Sequence, residues 1–240
     1  MSAAKNRHDD ESRGPILPSL GDHDHMSEHK VYSADHHFFH QAMLQWFPKT
    51  RPFSNLSQMH EFMIEQHNAR VTNATDVYFL GDFAYGRKVD EKEVRKIFEK
   101  LKGRKHLITG NHDNRVVMEL RWSSPPRSEF TVKDGDRQIY LNHYAVRSWP
   151  GFYNGTYHFY GHTHGKLPSH GRSIDVGVDA WEMAPVTASE AIERMREWNA
   201  DFDSYTPERR SVIMCAEENV PEDEEYVPEM RNAPGYGFSR

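Results

Sequence analysis

Residues 105–113 read KHLITGNHD, an apolar run that ends in a glycine followed by three polar side chains. Short runs of this kind, bounded by turn-forming residues, are typical of buried β-strands. Gly110 lets the chain turn tightly, so Asn111, His112 and Asp113 would lie just beyond the carboxyl end of the strand. Taken alone, these letters also fit a plain Gly-Asn turn. In α/β proteins, however, ligands bind beyond the carboxyl ends of strands, so the stretch predicts a candidate site.

Four further apolar or aromatic runs end in potential metal ligands in the same way. They read VYSADHH at 31–37, DVYFLGD at 76–82, QIYLNHY at 138–144 and YHFYGHTH at 157–164. One strand-end Asp or His is usually a surface or capping residue, but five such clusters in succession have no comparably simple structural explanation. The side chains that we expect to converge are Asp35, His37, Asp82, Asn111, His143, His162 and His164.

These seven donors are too many for one tetrahedral zinc ion, but they suit two five- or six-coordinate ions that share a bridging carboxylate. Imidazole, carboxylate and amide ligands without thiolate favour manganese, iron or zinc over calcium. Side chains at positions i and i+2 of an extended segment point the same way. The pair Asp35 and His37, and likewise the pair His162 and His164, are therefore each expected to chelate one ion. Two ions about 3.5–4 Å apart are a common solution for phosphate ester hydrolysis.

The order of the predicted elements favours a layered α/β fold over residues 30–200. Helical patterns occupy 55–70 and the segments that begin at Asp90 and Thr187, where a side chain is suited to cap the helix. Strands and helices alternate early in the chain, and the later half is rich in strands.

The two ends of the chain differ in composition from this domain. Residues 1–29 show no hydrophobic periodicity, and residues 216–230 carry seven acidic groups and no lysine or arginine. Such segments bury too little apolar surface to fold on their own. We expect a disordered polar leader at 1–29 and a largely irregular acidic extension at 201–240.

Composition narrows the classes of function. The 240 residues include one cysteine, Cys215, which excludes an internal disulfide framework and a cysteine-rich zinc module. No run approaches the ~18 apolar residues of a membrane helix, and the N-terminus lacks the apolar stretch of a secretory signal, so we expect a cytoplasmic protein. A net charge of −6 without a basic track argues against stable nucleic-acid binding. The sequence leaves the oligomeric state open.

In order along the chain, the motifs D-x-H, GD, GNHD, H and GHxH resemble those of the calcineurin-like metallophosphoesterase superfamily over Lys30 to Trp198. The chain is also similar to a compact bacterial and phage subgroup, in the stretches SADHHFFH, TRPF, LGDFAYG, RKHLITGNHD and GRSIDVGVDAW. It departs from that subgroup at Thr50 and at Phe39, where a glycine is common. The bulkier Phe39 ring is expected to reshape the mouth of the pocket.

The resemblance implies a four-layer α/β/β/α sandwich of two mixed β-sheets flanked by helices. It also implies two divalent metal ions, with manganese as the first choice and iron, zinc or nickel as alternatives. Asp82 would be the bridge between them. The ligands of one ion would be Asp35, His37 and His164, and those of the other Asn111, His143 and His162.

Catalytic and substrate-binding candidates lie around these ligands. His112 is outside the set of seven and is expected to act as general acid for the leaving group or to stabilise phosphoryl charge, with Asp113 orienting its ring. The alternative is a structural histidine behind the ligands. His40, Arg51 and Arg147 are candidates for holding the substrate, although a salt bridge within the protein is an equally consistent role for each arginine.

Several other residues have a preferred structural interpretation. Asp175 and Asp179 are expected to hydrogen-bond the residues of the site rather than to bind metal. Tyr144, Trp149 and Trp181 could stack on a nucleobase, but core packing is the preferred interpretation.

The leading hypothesis is a binuclear phosphoesterase for a small phosphorylated or nucleotide-like substrate, with diesters slightly ahead of monoesters. One alternative is a catalytically silent phosphoesterase-like scaffold that binds other proteins. Another is a metal-storage protein built on GDHDHMSEH at 21–29. A nuclease would require a basic track, which the sequence does not show.

Overall fold

The computed structural model describes residues 30–85 and 90–198. The predicted leader at 1–29 and the predicted extension at 201–240 lie outside the described residues, so their character stays a prediction. Within the two described ranges, no helix is both long and apolar enough to cross a lipid bilayer.

The first sheet contains three parallel strands in the order β1-β2-β3. The strands are β1 (Lys30–Ser33), β2 (Asp76–Phe79) and β3 (Arg104–Leu107). Tyr32 pairs with Tyr78 across β1 and β2, and Tyr78 pairs with His106 across β2 and β3. An antiparallel bridge between Tyr32 and Val186 extends the sheet on the other side of β1.

The second sheet is mixed and has the order β4-β5-β6-β7. Its strands are β4 (Glu129–Asp134), β5 (Arg137–Asn142), β6 (Tyr157–Tyr160) and β7 (Ser173–Asp175). Strands β4 and β5 form an antiparallel hairpin, whose tight turn uses Gly135 at a φ of 63°. The pairs β5–β6 and β6–β7 are parallel, so the carboxyl ends of β5, β6 and β7 share one edge.

In the part of the chain that the structure describes, five α-helices connect and cover the sheets. They are α1 (Met43–Trp46), α2 (Leu56–Arg70), α3 (Glu91–Lys100), α4 (Arg115–Met118) and α5 (Ala188–Trp198). The predicted caps are present: Asp90 accepts the Lys92 N–H, and Thr187 and Glu190 form a reciprocal capping box at the start of α5.

Two apolar cores lie on the two faces of the first sheet. On one face, Val77 and Phe79 pack with Met59, Met63 and Phe98 from the helices α2 and α3. The other face packs against the second sheet and α5, through residues that include Tyr32, Leu80, Ile139, Phe159 and Met195. The predicted α/β fold with two sheets flanked by helices is therefore confirmed, and this packing fixes the edge at which the strands deliver their polar ends.

Candidate metal centre

Six of the predicted ligands form two compact groups at this edge. The groups are Asp35, His37 and His164, and Asp82, His143 and His162; within each group the ligand atoms lie within 4.8 Å of one another. These residues follow β1, β2, β5 and β6, so the site draws on both sheets. The grouping agrees with the division that the sequence resemblance implies.

Asp82 lies between the two groups. Its Oδ2 atom is 3.4 Å from Nε2 of His37 and 3.5 Å from Nε2 of His143. The Oδ1 atom of Asn111 lies 2.9 Å from the same Nε2 of His143, which brings the seventh predicted ligand to the second group. Asp82 therefore stands where a carboxylate shared by two ions would stand.

The tautomer of His143 leaves an electron pair directed at these oxygens. Its Nδ1 lies 2.8 Å from the carbonyl oxygen of Leu80, which can only accept, so Nδ1 carries the proton. The Nε2 lone pair of the neutral ring then faces the oxygens of Asp82 and Asn111. Three electron-rich atoms facing one another favour a cation between them, and a donor set of imidazole, carboxylate and amide suits a transition metal.

The first group contains buried polar atoms without partners. Both carboxylate oxygens of Asp35 and both ring nitrogens of His37 lack a hydrogen-bond partner among the residues that the structure describes. Burial and the nearby Asp175 carboxylate raise the pKa of Asp35 well above its usual value. Burial and the His164 ring lower the pKa of His37. Because an unpaired buried polar group is costly, these residues fit a bound metal ion.

The backbone around the ligands is left-handed rather than extended. Asp35, His37, Asp82, His162 and His164 have φ values of 58°, 49°, 54°, 67° and 50°. The prediction from i and i+2 spacing therefore succeeds for the first pair, Asp35 with His37, and is wrong for His162 with His164, which belong to different groups. Because the chain turns at all four residues, a spacing of two positions does not by itself decide whether two of these side chains face the same group.

Arg51 is not available to a substrate. It is fully buried, donates from Nε and Nη2 to the two oxygens of Asp179 at 2.9 and 2.6 Å, and also donates to the carbonyl oxygens of Asp35 and His36. The prediction of substrate binding is wrong here, and the alternative of a salt bridge within the protein is correct. A buried guanidinium must be paired, and all of these acceptors lie inside the fold.

Asp179 and Asp175 support the ligand segments from behind, as predicted. Asp179 accepts a hydrogen bond at 2.8 Å from Nδ1 of His164, which leaves Nε2 of that ring for a metal ion. Asp175 accepts from the Thr163 hydroxyl and from the backbone N–H groups of Gly165 and Gly177.

Asp113 plays a different role from the predicted one. Its carboxylate accepts the backbone N–H groups of Gly110, Asp82 and Phe83 at 2.8 to 3.0 Å, instead of orienting the His112 ring. Burial raises the pKa of Asp113 to about 6, although these hydrogen bonds act in the opposite direction and lower the pKa. Asp113 ties the two strand ends together, because backbone amides at a turn need acceptors that the sheet cannot supply.

The His112 ring itself faces the first group. Its centroid lies 5.3 Å from that of His37 and 5.0 Å from that of Tyr85, and its backbone N–H donates to Oδ1 of Asp82. His40 stacks on Tyr85 with centroids 3.7 Å apart and meets the edge of Trp46. His40, Tyr85 and Trp46 thus form an aromatic wall beside His112.

Sequence reasoning missed Tyr85 and Trp46 in this wall. The bridge between Phe38 and Ala84 continues the alignment of β1 and β2 beyond their ends and brings Tyr85 beside His40. The position of Tyr85 could therefore have been predicted by continuing the alignment of β1 with β2 past the ends of the two strands. Phe39 packs edge-on against His60, with centroids 4.8 Å apart, and joins the helical core, so the expectation that it reshapes the pocket mouth is wrong.

The remaining candidates divide between core and surface. Trp149 and Trp181 are buried and donate from Nε1 to the carbonyl oxygens of Thr156 and Asp175, so the core interpretation is correct for both. That interpretation is wrong for Tyr144, which is half-exposed. Its ring lies 4.8 Å from His162 and 4.9 Å from His143. The exposed Arg147 lines a cavity together with Trp149 and Tyr160, and no residue of the two ligand groups is among the lining residues.

No protein-family model matches the chain. The uncharacterized protein MJ1445 of Methanocaldococcus jannaschii is 37% identical over 89 residues, which are 37% of this chain and 49% of that protein. The chain therefore matches about half the length of this curated relative. The fold is similar to that of a protein of unknown function, AQ665, from Aquifex aeolicus, with a TM-score of 0.54 and 19% identity over 69% of this chain and 98% of that chain.

Two further structures have lower scores. Yfce, a phosphoesterase from E. coli, has a TM-score of 0.37 and 17% identity over 62% of this chain and 77% of that chain. A variant of Vps29 from Entamoeba histolytica has a TM-score of 0.31 and 19% identity over 56% of this chain and 64% of that chain.

Proposed function

We propose that the chain is a binuclear metal-dependent phosphoesterase. The observation that carries the proposal is the set of buried, unpaired donor atoms on Asp35 and His37, next to the Asp82 oxygen that faces both ligand groups. A structural role leaves these atoms unexplained, because buried polar side chains in folded proteins are normally hydrogen-bonded.

Each ligand group would hold one divalent cation. Asp35, His37 and His164 form the first site, and Asn111, His143 and His162 the second, with Asp82 shared. Cations bound there would supply Lewis acidity, which lowers the pKa of a coordinated water and neutralises charge on phosphate oxygens. Manganese is our first choice, because the ligands are nitrogen and oxygen donors without thiolate.

His112 is the residue that we assign to the leaving group. Its ring faces the first ligand group, and its backbone N–H is held by Asp82, so the ring is positioned relative to the bridging carboxylate. From this place a protonated imidazole would donate its proton to the departing ester oxygen. The three amide hydrogen bonds to Asp113 keep the Gly110–Asp113 turn in register with the turn at Asp82.

The substrate that we propose is a small phosphate ester, with a nucleotide-like diester preferred over a monoester. The aromatic rings of Tyr85, His40 and Tyr144 border the ligand groups, which suits a substrate with planar groups.

The full chain, loaded with Mn²⁺, should hydrolyse p-nitrophenyl phosphate or bis(p-nitrophenyl) phosphate, and a chelator should abolish the reaction. Elemental analysis should find two ions per chain. Asp82→Asn should retain less than one, because it weakens the ligand shared by both sites. Asp136→Asn, the same change at a side chain that is 97% exposed, should keep two. Failure to hydrolyse either ester with both ions bound would favour a catalytically silent scaffold.

A further inference from the structure

The aromatic wall of His40, Tyr85 and Trp46 is joined to the first ligand group by direct ring contacts. The centroid of the His40 ring lies 5.4 Å from that of His37. The centroid of the Tyr85 ring lies 5.0 Å from that of His112, which itself faces His37. A group attached to a phosphate at the first ligand group would therefore have the wall within reach.

The wall presents aromatic surface to solvent. Trp46 is 63% exposed and Tyr85 is 37% exposed, whereas His40 is buried. The His40 ring stacks on Tyr85 and meets Trp46 edge-on, so it supports both exposed rings. A tryptophan in water forgoes the free energy that burial of its ring would supply. A cluster of exposed rings beside a candidate site therefore indicates a surface for a ligand.

The segments that carry the two exposed rings are tied to the ligand-bearing segments. The backbone N–H of Tyr85 donates to the carbonyl oxygen of Phe38, which is next to a ligand in the sequence, at 2.9 Å. Trp46 ends α1, and the following residue, Phe47, packs on the His164 ring with centroids 4.4 Å apart. These contacts hold the wall in one position relative to the first ligand group, which lowers the entropic cost of binding a ring there.

The position of His112 decides which part of an ester would lie on the wall. The His112 ring meets the Tyr85 ring at an angle of 75°. In the proposed function His112 protonates the departing oxygen, which must therefore lie close to this ring. Tyr144 contacts the second ligand group instead, through His143 and His162. The wall thus borders the leaving alcohol, whereas a group that stays on phosphorus would lie away from His112.

We propose that Tyr85 and Trp46 select substrates whose leaving alcohol carries a flat aromatic ring, such as the base of a nucleoside, which stacks on the wall. The proposal rests on the proposed function and specifies its leaving group. In the reaction, the oxygen of water forms a new P–O bond, and the P–O bond to the ring-bearing alcohol breaks. That alcohol leaves with the proton of His112, and the proton released by the attacking water restores the acid.

Two esters that differ in the leaving group test the proposal in the manganese-loaded full chain. The leaving group of p-nitrophenyl phosphate has one ring, and that of 4-methylumbelliferyl phosphate is a flat pair of fused rings of similar acidity. If the chain cleaves only diesters, the methyl diesters of the same two alcohols replace them, because the retained methyl group is then common to both. We expect kcat/KM to be at least about fivefold higher for the umbelliferyl ester, since each stacked ring adds affinity.

Substitutions in the wall locate the preference. Trp46→Ala and Tyr85→Ala should each bring the ratio of the two kcat/KM values, umbelliferyl over nitrophenyl, below about two. The ratio is the informative quantity, because any effect of Tyr85→Ala on the neighbouring His112 acts on both esters. Trp46→Phe retains a flat ring and should keep the ratio within about twofold of that of the unsubstituted chain. Trp198→Ala is the matched control, because Trp198 is 66% exposed but lies on α5, and it should change neither kcat/KM value.

The outcomes separate this proposal from the proposed function. A ratio near one in the unsubstituted chain would overturn the selection of a flat leaving group and leave the phosphoesterase function standing. A ratio that either alanine variant leaves unchanged would do the same. If neither the monoesters nor the methyl diesters are hydrolysed with two ions bound, the proposed function fails, and the assignment of the wall to a leaving group fails with it.

Discussion

Asp179→Asn tests whether a buried charge behind the ligands holds the site in place. The carboxylate accepts four hydrogen bonds: two from Arg51, one from the Thr50 hydroxyl and one from Nδ1 of His164. Both side chains of the Arg51–Asp179 pair have 0% exposure. Burial would raise the pKa of Asp179, but the hydrogen bonds from Arg51 and His164 hold it well below its usual value. The negative charge of Asp179 is therefore part of the hydrogen-bond network that holds Arg51 and His164.

The substitution keeps the shape of the side chain and removes its charge. Arg51 would then be a buried cation without a counter-ion, and removing one partner of such a pair costs about 3–5 kcal/mol. For a domain of this size, the loss corresponds to a fall in Tm of about 6–20 °C. The His164 ring would also lose its carboxylate acceptor, and losses of this kind weaken metal binding by about 10–100-fold.

Urea unfolding and manganese titration of the full chain measure the two effects. Asp136→Asn is again the control, because the same chemical change occurs at an exposed side chain. Arg51→Met combined with Asp179→Asn should lose less stability than the sum of the single variants, because the double variant leaves no unpaired guanidinium. An Asp179→Asn protein with the unfolding free energy and the manganese affinity of the control would refute the reasoning.

Two further predictions concern histidines. His112→Ala should lower turnover by about 10²-fold with metal content unchanged, and His106→Ala, on the far strand β3, should change neither; near-normal turnover would remove His112 from the mechanism. Burial lowers the pKa of His67 and of His158 to about 4. Each group binds more protons in the unfolded chain, so the unfolding free energy should fall between about pH 6.5 and 4, by up to about 3 kcal/mol per histidine. Urea unfolding of His67→Gln should show a shallower fall over this range, and an unchanged slope would contradict the assignment.

The broad fold and the meeting of the ligands were predictable because they follow from a simple pattern. Apolar runs that end in polar groups, separated by helical segments, predict parallel strands whose carboxyl ends share an edge. Asp82 and His143 meet at this edge although they belong to different sheets. The capping roles of Asp90 and Thr187 were equally predictable, because each side chain bonds a backbone N–H group two or three residues away in the sequence.

The residues that the sequence assigned wrongly depend on long-range geometry. Arg51 pairs with Asp179 across 128 positions, and nothing near Arg51 in the sequence distinguishes a buried guanidinium from a substrate-binding one. Asp113 was predicted to orient the adjacent His112 ring. Its carboxylate instead accepts hydrogen bonds from the backbone N–H groups of Asp82 and Phe83, about thirty residues away. Satisfying buried backbone donors took precedence over the local pairing.

The left-handed backbone at the ligands links these supports to the chemistry. A non-glycine residue in this conformation costs about 1–2 kcal/mol, and Asp35, His37, Asp82, His162 and His164 all adopt it. A fold sustains such strain only where surrounding contacts over-determine the backbone. Here those contacts come from Arg51 on the carbonyl oxygens of Asp35 and His36, and from Asp113 on the amides of the Asp82 turn. The same side chains that hold the strained turns thus also fix the positions of the unpaired atoms of Asp35 and His37, as the proposed metal centre requires.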